Sequence, residues 1–161
     1  GKRTDAYGED PAKGATQRDI FANTRRDGQW RGEVVNYSGD GSELIMDCRT
    51  RVVQDEKGNP IALCGIATNI TDRKRAQLAL AESVKERRQK ENLTQQELAK
   101  RIGSSQSRVA KMEAADSSVS MDLLVRSLAA MGETTRSIGM TVARKRHAPK
   151  RVAAKRKLAK T

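Results

Sequence analysis

Four side chains between Ser105 and Glu113 have types suited to recognition: Gln106, Ser107, Arg108 and Lys111. At about 100° per residue they share the outward face of a short helix. The inward positions of that helix are Val109, Met112 and the aliphatic stem of Glu113. A primary amide can bond adenine N6 and N7 together, and a guanidinium can bond guanine O6 and N7. Gln106 and Arg108 are therefore the main candidates for reading base edges, with Ser107 and Lys111 beside them. Arg88, Ser104 and Lys111 are placed to add contacts to phosphates, which position a protein without reading sequence.

Such side chains need a frame, and the flanking sequence supplies one. Thr94 followed three residues later by Glu97 is a capping box. Leu98, Ala99 and Ile102 then fall on one helical face, and Gly103 suits a left-handed residue just past the helix end. Ser104 and Ser105 offer N-caps for the second helix. Two short helices joined by a tight Gly-containing turn form a helix-turn-helix. A helix over 83–91, carrying Arg87 and Arg88, precedes them. A loop over 114–119 follows, then a helix capped by Ser120, with Asp122 in its first turn. Its core face is Leu123, Leu124, Leu128 and Met131, and Gly132 ends it. Beyond it Ile138, Met140 and Val142 alternate, which favours a short strand over 134–143, suited to a dimer contact.

The run from Leu93 to Glu113 resembles the Cro/C1-type helix-turn-helix of phage repressors, the Xre family. The matching residues are Thr94-Gln95, Glu97-Leu98-Ala99, Gly103, Ser105-Gln106-Ser107, Val109 and Glu113, and the likeness extends over about 84–131. The resemblance implies that Gln106 opens the recognition helix. It implies also that Gln95 holds a phosphate.

The charge agrees with a polyanionic partner. The 161 residues carry a formal charge of +12 with a pI near 10.2. From Val142 to Thr161 there are nine Lys or Arg and no acid, so +9 of the +12 lies there. Arg144, Lys145, Arg146, Lys150, Arg151, Lys155, Arg156 and Lys157 belong to this tail, expected to be disordered and to grip DNA nonspecifically. An enzyme is not expected. The single His147 lies in that tail, and no phosphate-binding Gly loop, metal-ligand set or nucleophile motif occurs. Cys48 and Cys64 lack metal or disulfide spacing, and reduced thiols in a cytosolic protein are expected. No apolar run is long enough to span a bilayer.

The first half reads differently. Residues 1–14 are polar, with Gly and Pro and no period, and read as a loop or frayed terminus. A helix is expected over 15–26 with Ile20 and Phe21 inward. Strands follow over 30–37, 44–54 and 61–70, separated by turns at Ser38-Gly39-Asp40-Gly41 and at Asp55 to Pro60. Trp30-x-Gly32-Glu33, Asn36, Gly39-Asp40-Gly41, Gly58, Gly65-Ile66 and Asn69-Ile70-Thr71-Asp72-Arg73-Lys74 resemble the C-terminal (PAC) half of a PAS sensor domain. Asn69 stands where that family usually has Asp. The first strands and helices of a PAS domain, which form much of its ligand pocket, are absent, so no cofactor or small-molecule ligand is expected. A starting Gly in place of Met points to a missing N-terminal piece. From Asp72 a polar helix should run toward the helix-turn-helix. The resemblance implies that it pairs with its copy in a dimer, for which Leu80 and Val84 offer a short seam.

The expected architecture is α+β: a polar segment (1–19), a partial PAS-like antiparallel three-stranded sheet (20–72), a connecting helix (73–82), an all-α lambda-repressor-like helix-turn-helix domain (83–141) and a disordered basic tail (142–161). The function this implies is a sequence-specific, DNA-binding transcriptional regulator. It would be cytoplasmic, nucleoid-associated and homodimeric, with a PAS-derived sensory or dimerisation segment. The alternatives are an antitoxin that represses its own operon and a nonspecific nucleoid protein. The tail gives a test. Deleting residues 144–161 should weaken binding to every DNA sequence and flatten the dependence of log K on log salt in an anisotropy titration. An unchanged slope would remove the tail from the interface.

Overall fold

Alternating and helical periodicities both organise the chain in the computed structural model, which describes residues 8–146. The elements are β1 (Gly8–Glu9), α1 (Gln17–Asp27), β2 (Gln29–Tyr37), β3 (Glu43–Gln54), β4 (Pro60–Asn69), α2 (Thr71–Lys90), α3 (Gln95–Arg101), α4 (Gln106–Glu113), α5 (Met121–Ala130) and α6 (Thr135–Arg146). The chain divides at Thr71/Asp72 into two units, and the class is α+β.

In the first unit, β2, β3 and β4 form the expected antiparallel meander. A fourth, two-residue strand extends it, because Gly8 and Glu9 pair with Tyr37 and Asn36. The segment expected to be frayed is thus partly tied down. The Asp10 carboxylate accepts from the Tyr37 hydroxyl at 3.1 Å, and Lys13 Nζ reaches Glu43 at 2.6 Å. The helix α1 begins at a capping box of Thr16 and Asp19 and lies against β2 and β3. Its buried residues are Ile20 and Thr24. Phe21, expected inward, is 38% exposed. Residues 20 and 24 are one helical turn apart and face the sheet together, which leaves 21 on the flank. The Thr24 hydroxyl bonds both the Ile20 carbonyl and the Thr50 hydroxyl, so its burial leaves no polar atom unpaired. Gly32 lies under the Trp30 ring, whose atoms come within 2.7 Å of where a Cβ would sit.

Asn69 departs from the family pattern without losing the local structure. Its side-chain oxygen accepts from the Thr71 N–H at 3.0 Å and the Thr71 hydroxyl at 2.7 Å. Capping the start of α2 requires an oxygen acceptor, and an amide serves as a carboxylate would.

The second unit has a continuous apolar core. It contains Leu80, Ala81, Val84, Leu98, Ala99, Val109, Met112, Val119, Leu123, Leu124, Leu128, Met131 and Ile138. Connection and first helix are one uninterrupted element, α2, since no Gly or Pro breaks it. Leu80 and Val84 are fully buried in this core, so they are not a dimer seam. Gln77, also buried, donates to the carbonyls of Asp116 at 3.0 Å and Val119 at 3.2 Å, which pins the loop between α4 and α5.

The strand expected over 134–143 is instead α6. Thr134 caps it by accepting from the Ser137 N–H at 3.2 Å, and Ile138 faces the core. Val142 packs against the same core. Residues 138 and 142 are four apart, a spacing that fits one helix face as well as strand alternation. Because α6 runs to Arg146, the tail does not begin at 142. Helical backbone includes Arg144, Lys145 and Arg146, while the expectations for residues 147–161 lie outside the described residues.

Leu80 separates core from seam. Leu80→Ala should destabilise the chain by about 2–5 kcal/mol. Leu78→Ala, at a position 47% exposed, should stay within about 0.5 kcal/mol. Urea unfolding measures both, and equal effects would contradict the assignment.

Candidate nucleic-acid interface

The turn between α3 and α4 sets which face of α4 points outward. The capping box forms as expected. The Glu97 N–H donates to Thr94 Oγ1 at 3.2 Å, and the Glu97 carboxylate accepts from the Thr94 N–H at 2.7 Å. Such a cap contributes about 1 kcal/mol. At the other end Ser104 N–H donates to Ala99 O at 2.8 Å, and Gly103 N–H donates to Lys100 O at 3.3 Å. This is a Schellman closure, and it needs the left-handed Gly103, which has φ of 63°. Ser105, rather than Ser104, then caps α4 by accepting from the Arg108 N–H at 3.3 Å.

On α4, Val109 and Met112 are fully buried. Gln106, Ser107, Arg108 and Lys111 are exposed, and Ser104 is half-buried beside them. The first turn of α4 holds no acid. Its free N–H groups therefore favour an anion such as a phosphate. A polar, partly cationic face is left outward on a helix whose inner face is held by the core. That arrangement matches an element inserted into a major groove, with N-terminal side chains at base edges.

Arg88 is a correction. Its guanidinium is turned inward onto the Glu113 carboxylate, through Nε to Oε1 and through Nη2 to Oε2 at 3.1 Å. Nη1 donates to Leu93 O at 2.7 Å. The two side chains are only 13% and 6% exposed, so Arg88 is not available as a phosphate ligand. A stretch dense in Arg and Lys gave no sign of which cation turns inward. The signal was the acid at Glu113, on the buried side of α4, which required a cation opposite it. Gln95 joins the same cluster, since its Nε2 donates to Glu113 Oε2 at 3.0 Å. It is half-buried. Arg87 is also used internally, by Glu91 at 3.0 Å, Glu133 at 3.4 Å and the Met131 carbonyl at 3.2 Å.

Burial alone would raise the Glu113 carboxyl, but the hydrogen bonds from Arg88 and Gln95 outweigh it and hold the group below the usual glutamate range. A depressed folded pKa adds stability that is present above the unfolded value and lost as pH falls through the folded one. Arg88→Met should destabilise the chain by about 3–5 kcal/mol, because it leaves a carboxylate buried and unpaired. Arg88→Met with Glu113→Leu should recover most of that loss in thermal melts. A silent Arg88→Met would contradict the internal assignment.

A family model described as helix-turn-helix matches residues 84–138. Among solved structures, the chain is similar to a PAS domain from Colwellia psychrerythraea, with 21% identity over 35% of this chain and 48% of that one and a TM-score of 0.31. It is similar also to VqmA bound to DPO, with 14% identity over 73% and 59% and a TM-score of 0.29. A third is a Vibrio cholera VqmA–ligand–DNA complex, with 15% identity over 76% and 61% and a TM-score of 0.35. The chain thus spans 48% to 61% of the length of these proteins. No curated protein matches it. No helix among the described residues is long and apolar enough to cross a membrane. Residues 84–138 are a helix-turn-helix domain of the Cro/C1 type, the kind found in DNA-binding transcriptional regulators.

Proposed function

We propose that this chain is a sequence-specific, DNA-binding transcriptional regulator that acts as a homodimer and whose α4 reads base edges. One observation carries the reading. Gln106, Ser107, Arg108 and Lys111 are all exposed on a helix whose opposite face is locked into the core. Gln106 and Arg108 sit in the first turn of α4, where recognition helices present their side chains. Ser104 and Gln95 lie at the neighbouring helix starts, positioned to receive phosphates. A single module of this size makes few contacts, and pairing two copies on half-sites about 34 Å apart supplies the rest. The basic segment from Arg144 onward adds a sequence-independent, salt-sensitive term that favours association with the nucleoid.

The PAS-like unit serves in this reading as a dimerisation segment. Its sheet is covered by α1 on one side, and β4 is mostly exposed.

Gln106→Ala with Arg108→Ala should abolish the preference for a specific site over random DNA, a loss of about 2–6 kcal/mol if each makes one bidentate base contact. The thermal melt should be unchanged, since both side chains are exposed. Competition binding against random-sequence DNA measures it. Retained discrimination would take the recognition role away from α4.

A further inference from the structure

Gln95 is held by an acid rather than left to solvent, and this decides what it can offer a ligand. A glutamine amide ends in an acceptor oxygen and a donor nitrogen, and on a free side chain either end can face a partner. A phosphate oxygen accepts and does not donate, so only the nitrogen end can hold it.

In this chain the choice is made internally. Gln95 Nε2 donates to Glu113 Oε2 at 3.0 Å. The partners of Glu113 hold its carboxyl below the usual glutamate range, and an ionised carboxylate is an acceptor only. Turning the Gln95 amide over would set its oxygen against Oε2, two acceptors with no proton between them. The amide therefore keeps its nitrogen toward Glu113, and that nitrogen carries a second hydrogen.

The acid cannot swing away with Gln95. Arg88 bonds both of its oxygens, through Nε to Oε1 and through Nη2 to Oε2 at 3.1 Å, and the Glu113 side chain is 6% exposed. Arg88 Nη1 donates to Leu93 O at 2.7 Å, two residues before Gln95, so the same guanidinium also fixes the chain entering α3. Gln95 is the first residue of that helix and is half-buried. Ordering a long side chain costs conformational entropy. Here the fold has met that cost before DNA arrives, as a preorganised binding site does.

We propose that Glu113 is a positioning residue for DNA: by fixing the Gln95 amide it keeps a donor, and not an acceptor, at the start of α3 for a backbone phosphate. The inference rests on the phosphate contact proposed for Gln95. It gives Glu113 a role beyond joining α2 to α4, and it is independent of which residues of α4 read bases. The amide is neutral and releases no counterion. Losing its contact therefore lowers affinity for every sequence alike and leaves the slope of log K against log salt unchanged.

Anisotropy titrations of the full chain test it, against a labelled random-sequence duplex and against the duplex that the wild type selects from a random pool. Each variant is titrated well below its melting temperature. Gln95→Ala should bind both duplexes about tenfold more weakly, with the salt slope of the wild type. Arg88→Met with Glu113→Leu keeps Gln95 but removes its anchor, and should lose the same factor. Adding Gln95→Ala to that pair should cost nothing more. Arg88→Met with Glu113→Gln returns an acceptor oxygen to Gln95. It should melt lower than the leucine pair, because a buried amide is left incompletely bonded, and yet bind about as tightly as the wild type. A purely structural role for Glu113 predicts the reverse order, with affinity following stability. If Gln95→Ala binds as the wild type does, the phosphate contact and the inference both fail. If Gln95→Ala weakens binding but the leucine pair does not, or the leucine pair binds more tightly than the glutamine pair, Glu113 does not position Gln95 while the phosphate contact stands. If the wild type selects no site, base reading by α4 fails, and the random duplex still decides the role of Glu113.

Discussion

The ion pair of Arg88 and Glu113 is the constraint on which the placement of α4 and its outward face depends. It joins α2 to α4, and Gln95 brings in α3 through the same carboxylate. Three helices are thereby fixed to one another by a single acid. Taking two charges out of water carries a heavy desolvation penalty, so the geometry must return it through paired hydrogen bonds. Glu113 accepts from both Arg88 and Gln95, and Arg88 also bonds a carbonyl. The bidentate pair adds a fixed geometry to the apolar packing of Val109 and Met112, from which the angle of Gln106 and Arg108 at the surface follows.

The remaining polar interior of the helical unit follows the same logic. Gln77 holds the loop after α4, Arg87 closes the end of α5 on the Met131 carbonyl, and Ser127 satisfies its hydroxyl within its own helix. Each of these three groups is bonded, and the bonds of Gln77 and Arg87 tie a loop and a helix end to the core. The sheet unit is built more thinly. Among the described residues one helix covers it, its last strand is largely exposed, and its turns rely on local groups such as the Asp55 carboxylate, which accepts from the Lys57 and Asn59 N–H groups.

The elements most legible in the sequence were those with local chemistry. The boundaries of α3 followed from Thr94, Glu97 and Gly103, because a capping box and a left-handed Gly leave marks within a few residues. The hairpin turns were equally plain in Ser38 to Gly41 and Asp55 to Pro60. What stayed hidden depended on partners far along the chain. Arg88 could be assigned inward only by finding Glu113, 25 positions away. Leu80 and Val84 looked like a seam because nothing local says that the core of the helical unit buries them. Ile138, Met140 and Val142 fit two periodicities at once, and the Thr134 cap, with the core beneath Ile138, decided for a helix. Gly8 and Glu9 carry no strand signal of their own, and Tyr37 and Asn36 recruit them.

The central claim is that an outward helix face, fixed by a buried ion pair, reads DNA. Selecting binding sites for the wild-type chain from a random duplex pool tests it most directly. The account predicts enrichment of a two-fold symmetric site whose half-sites lie about one helical turn apart, roughly 34 Å. Recovery of unenriched, sequence-neutral DNA would contradict it, leaving a protein that grips the phosphate backbone and reads nothing.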